Sequence, residues 1–141
     1  MANFNLVEAL LAKDAASLLE KETTTYTVKS LSKKLGQEVV ITLQALTAQD
    51  FMRLRKVSST RNKKNELELD ETRFSANVLL EGIKDPDLHN SALAKHYGAA
   101  TPAELVLRMF TIGEISDIVE TINELSGNDR DEEETEEEIK N

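Results

Sequence analysis

Apolar residues along this chain recur first at helical and then at alternating spacing. Phe4, Val7, Leu11 and Leu18 are separated by three, four and seven positions, with Leu6, Leu10 and Leu19 beside them. That spacing predicts an amphipathic helix from about Asn5 to Lys21. The pattern then changes. "TTTYTVKSL" alternates, with Tyr26 and Val28 on one face and a threonine content that favours strand. "VVITLQAL" places Val39, Ile41 and Leu43 on one face and Val40, Thr42 and Gln44 on the other. Between the two lies "KKLGQE", polar and centred on Gly36, so the region near 24–46 reads as a β-hairpin around a short turn. A lone hairpin is marginal, so this one must pack on helices, join a sheet or pair with another chain.

Helical signals dominate from Thr47 to Gly127. Thr47 is a candidate N-cap with Asp50 three residues on, opening a helix to about Thr60. "STRNKKNE" is polar and reads as a mobile loop. Asp70 can cap the next helix, on which Phe74, Val78, Leu79 and Ile83 form an apolar stripe. "KDPDLHN" turns the chain at Pro86, and "SALAKHYG" is a short helix stopped by Gly98. Thr101, Pro102 and Glu104 combine an N-cap, a first-turn proline and the acid of a capping box. Thr111 and Glu114 form a second box, before a helix whose Ile115, Ile118, Val119, Ile122 and Leu125 line one face. It stops at Ser126-Gly127. The fold expected is mainly α with one β-hairpin (α+β): a small single domain over 1–127, followed by a disordered acidic tail over 128–141.

Charge explains the tail. The chain has 141 residues and a net charge of −9. Residues 128–141 hold eight acids and two bases, or −6, and the body carries only −3. Ile139 is the tail's single large apolar residue, too little to offset the entropy of ordering it. A nearly balanced body argues against nucleic acid as a ligand, because phosphate binding needs clustered Lys and Arg. Hydrophobic residues make up 40%, and no apolar run approaches the roughly 20 residues of a membrane span. The N-terminus lacks a basic leader. With no Cys, disulfides and thiolate metal sites are excluded, and the composition is compatible with a reducing cytoplasm.

Catalytic chemistry finds no foothold in the residues. His89 and His96 have no ligand set at a recognised spacing around them, although Asp85 and Asp87 are near in sequence. "DPD" lacks the distal Glu of a calcium loop and reads as a turn. There is no phosphate-binding glycine loop, no cysteine nucleophile and no serine in a nucleophile elbow. The expectation is a non-enzyme with no catalytic, cofactor or metal residues. Two features can bind a protein. The N-terminal apolar face, with Phe4, Leu6, Val7, Leu10 and Leu11, either completes the core or docks a partner helix in a groove. The acidic tail is either simply solvated or engages a basic surface.

The order of segments resembles a known family. "NLVEALLAK" is followed by "VKSLSKKLGQEVVITLQALTAQDFMRL", by "FSANVLLEGIKDPDL" and by "HYGAATPAELVLRMFTIGEISDIVETINELSG" before the acidic end. This looks like the XkdN-like phage tail assembly chaperones of contractile-tailed phages and prophage-derived particles. The likeness is densest from Phe74 to Gly127, and "GIKDPDL" and "YGAATPAEL" are its most specific parts. Tyr97 and Ile112 depart conservatively from residues common in the family, Phe and Pro respectively.

The resemblance implies a non-enzymatic chaperone. It would bind the tape-measure protein in the host cytoplasm, keep it soluble, help recruit tail-tube subunits and leave before the tail is complete. It also implies two product lengths, the longer made by a −1 ribosomal frameshift. If Ile139 is encoded AUA, the codons of Ile139, Lys140 and Asn141 contain the slippery heptamer A AAA AAC. Two alternatives are a small acidic regulator or inhibitor of a basic protein surface, and a structural subunit retained in the finished particle.

Overall fold

The computed structural model describes residues 4–128. The N-terminal apolar segment is two short helices, α1 (Leu6–Ala12) and α2 (Ala15–Leu18), and not one continuous helix to Lys21. The interruption is local chemistry. The Asp14 carboxylate accepts from the Ser17 amide at 3.3 Å, so it starts a new helix where the first would have continued.

Strand β1 (Thr23–Thr27) pairs antiparallel with β2 (Val40–Gln44) in the register Thr23 to Gln44 through Thr27 to Val40. The expected pair of strands is present, but the connection is not a short turn. It contains a helix, α3 (Lys29–Leu35), and Gly36 is the C-cap of that helix at φ 72°. Ser32 folds the connection shut: its hydroxyl donates to the Val28 carbonyl and accepts from the Val39 amide, both at 2.8 Å. Helix α4 (Ala48–Val57) comes next, opened as expected by the full Thr47–Asp50 capping box.

The polar segment after α4 is ordered as a second hairpin, β3 (Ser59–Arg61) and β4 (Leu67–Leu69). The Asn62 side chain accepts from the amides of Lys64 and Glu66, and Asn65 adopts φ 62°, so asparagines build the turn. Helix α5 (Glu71–Gly82), capped by Asp70, runs into β5 (Ile83–Asp85). Ile83 therefore belongs to a strand and not to the α5 stripe. Strand β5 pairs antiparallel with β2, so the first hairpin becomes a three-stranded sheet in the order β1-β2-β5.

Three helices complete the described chain: α6 (Ser91–His96), α7 (Pro102–Met109) and α8 (Ile112–Ser126). Thr101 caps α7, but Glu104 does not close the box on its N-cap amide. Its carboxylate takes the Ala100 amide at 2.9 Å and Arg108 at 2.7 Å instead. Helix α8 starts with a complete Thr111–Glu114 box and ends on Gly127 at φ 73°. Helix α5 packs between α7 and α8, and α8 lies against β2. The core forms where these layers meet, from Val28, Ile41, Leu43, Leu79, Val106, Ile118 and Ile122. Each such side chain contributes roughly 1.5–3 kcal/mol on burial. The acidic tail from residue 129 onward lies outside the described residues.

Candidate partner-binding surface

The N-terminal apolar face is formed locally and left uncovered. Asn5 opens α1 by accepting the Glu8 amide at 3.1 Å, and neither α1 nor α2 contains a buried residue. Phe4 is 78% exposed and Leu11 81%, with Leu6, Val7, Leu10, Leu18 and Leu19 also exposed. The five residues singled out from the sequence thus lie together on the surface, outside the core. A helix of seven residues is below the roughly 12–15 needed for stability on its own. An exposed apolar cluster on so short a helix is the kind of surface that partner contacts cover.

A second apolar surface lies on the body. Leu31, Val40, Ile41, Pro86, Leu88 and Met109 line a groove of about 300 Å³ between α3, β2, the turn at Pro86 and the end of α7. Sequence periodicity did not reveal it, because its walls come from four separate segments of the chain.

The polar side chains are engaged in holding helices. Glu114 is only 8% exposed, yet its carboxylate is held by charge-assisted hydrogen bonds. Oε1 accepts from the Thr111 amide at 2.9 Å and from Ser30 Oγ at 2.7 Å, while Oε2 accepts from the Ser30 amide at 3.0 Å. Burial alone would raise the Glu114 pKa, but these donors outweigh it and hold the carboxyl below its ordinary value. Asp50 repeats the pattern. Burial opposes its charge, but the Thr47 amide and Lys21 Nζ, at 2.9 and 3.0 Å, bring its pKa down to about 2. Tyr26 donates to Asp117 at 3.3 Å, and its pKa is raised by burial and by that carboxylate. His89 lies in the turn before α6, with Nδ1 3.0 Å from Asp87 and Nε2 3.9 Å from Glu81. Among the described residues, no cluster of three or more His, Asp or Glu side chains could hold a metal, and no helix is long and apolar enough to cross a membrane.

The described residues form a small helical domain around a three-stranded sheet, with the apolar side chains of α1 and α2 exposed. A family model described as phage XkdN-like tail assembly chaperone protein matches residues 7–140, and the chain belongs to that family. The phage-like element PBSX protein XkdN of Bacillus subtilis (strain 168) is 30% identical over 118 residues, covering 80% of each chain. The crystal structure of the protein YqbN has the same fold, with a TM-score of 0.64 at 21% identity over 89% of this chain and 98% of that one.

Proposed function

We propose that this tail assembly chaperone acts without catalysis, by holding the phage tape-measure protein through the face formed by Phe4, Leu6, Val7, Leu10 and Leu11. The observation that carries this reading is the exposure of that face on helices with no buried residue. In this reading the tape-measure chain displays helical apolar stripes until it is packed inside a tail. An amphipathic helix on the chaperone can pair with such a stripe and shield it from self-association. In this reading the complex stays soluble in the host cytoplasm, recruits tail-tube subunits and releases the chaperone before a contractile tail is finished.

Co-expression with the neighbouring tape-measure gene product tests it. The expected outcome is a soluble complex captured through either partner, and a tape measure that precipitates when expressed alone. Affinity should change little with ionic strength, because the contact is apolar. A complex that dissociates steeply with added salt would favour instead an acidic regulator acting on a basic surface. Finding the chain in mature particles would favour a structural subunit.

A further inference from the structure

We propose that β1 is a self-pairing edge, through which two copies of this chain join their sheets antiparallel with Thr25 opposite Thr25 of the second copy. The inference rests on the β1 backbone and is independent of the tape-measure reading. Strand β1 is an outer strand of the sheet, bonded on one side to β2. The Ala45 amide donates to the Glu22 carbonyl at 2.8 Å and the Val28 amide to the Val39 carbonyl at 2.9 Å. Antiparallel ladders alternate, so Thr24 and Tyr26 also direct their backbone groups at β2. Thr23, Thr25 and Thr27 therefore direct their N–H and C=O groups away from it, along an edge where all three residues are exposed.

The other edges in the described structure carry the features that block pairing. Strand β5 has three residues, contains Lys84 and Asp85, is followed by Pro86 and meets β2 at an irregular register. Strands β3 and β4 have three residues each and carry Arg61 and Glu68. Strand β1 has five residues, all threonine or tyrosine, with no charge, proline or bulge. Protected edges depend on those devices, and β1 has none of them.

Symmetry selects the occupant. A two-fold axis at Thr25 sets Thr25 against Thr25 and Thr23 against Thr27, so every outward position meets its own residue type. Facing threonines are favourable cross-strand pairs, and no like charges meet within the strand. The same axis makes the contact isologous and closed, stopping at a dimer. The same register sets Lys21 opposite Lys29 of the second copy just beyond each end, a like-charge pair that limits the strength of the seam. A five-residue seam is also smaller than the roughly 1,200 Å² of a standard interface, so the dimer is weak and concentration-dependent.

Sedimentation velocity on the full chain over about a hundredfold concentration range tests the proposal. The wild type should pass from monomer to dimer. Thr25→Lys should stay monomeric with unchanged thermal unfolding, and so should Thr25→Glu. An equimolar mixture of the two should dimerise, because the opposite charges meet only if residue 25 faces residue 25. Hydrogen exchange on the wild type gives a readout that needs no variant. The Thr23, Thr25 and Thr27 amides should gain protection as concentration rises, while those of Thr24 and Tyr26 should not. A wild type that is monomeric throughout overturns the proposal, as does a dimer that Thr25→Lys leaves intact or a variant mixture that remains monomeric. Protection of the edge only on adding another protein would also overturn it, in favour of strand donation by that protein.

Discussion

The carboxylate of Glu114 caps two helices at once, its own α8 through the Thr111 amide and, 84 residues away, α3 through the amide and hydroxyl of Ser30. Helix α3 has Val28 at its N-cap and no cap bond from that side chain. Its Ser30 amide in the first turn is therefore satisfied by a charge from another part of the chain, and that charge also favours the positive end of the helix dipole.

Glu114→Ala should accordingly cost about 2–3 kcal/mol, since it orphans three donors in a partly buried site. Ser30→Ala removes only the hydroxyl donor and should cost about 1 kcal/mol. Urea unfolding of both single variants and the double variant checks this. The double variant should lose less than the sum of the singles, because the two share one contact.

Acid should weaken the fold through Asp50 and Glu114 together. Both carboxyls have folded-state pKa values below their ordinary ones. Their stabilisation is therefore complete above the unfolded-state values and declines as pH falls through the folded ones. For Asp50 that window runs from 3.8 down to about 2, and the loss across it is about 2 kcal/mol. Melting temperature measured against pH should fall through this range. In Asp50→Asn the slope should be shallower.

Gly82→Ala should destabilise the protein. A Cβ there would collide with Ile122 Cδ1 and lie 2.7 Å from Cγ1 and 3.2 Å from Cγ2, all on a fully buried side chain. Overpacking of this kind costs about 1–3 kcal/mol, against a gain of about 1 kcal/mol in helix propensity. Ile122→Val removes the worst-placed atom, so the double variant should recover part of the loss in thermal unfolding.

Changing Leu10 and Leu11 together to Gln should leave unfolding within about 0.5 kcal/mol of the wild type, because both side chains are exposed. Under the proposed function, capture of the tape-measure protein should fall in the same variant. A cooperative fold with undiminished capture would move the binding surface elsewhere, with the groove beside Met109 the next to test.

Wherever a helix start or stop was legible, the residues that decide it are adjacent in sequence. Thr47 with Asp50, Asp70, Thr101 before Pro102, Thr111 with Glu114, and Gly127 all act within one turn of their own helix. The alternation at Ile41 and Leu43 likewise announced a strand with one buried face, and both residues are core. The apolar cluster at Phe4 to Leu11 was visible as a pattern, and the family as an order of segments. Tertiary structure alone decided which way that cluster faces, since core and surface amphipathic helices share one periodicity. It also decided that "KSLSKKL" is a helix, because the cap of α3 is supplied by Glu114 and not by a neighbour. Ile83 fits the period of α5 but ends in a strand because β2 offers it a free ladder. The short helix α3 and strand β5 are too weak in local preference to form by themselves. Their hydrogen-bond partners lie dozens of residues away, and only the folded chain brings them within reach.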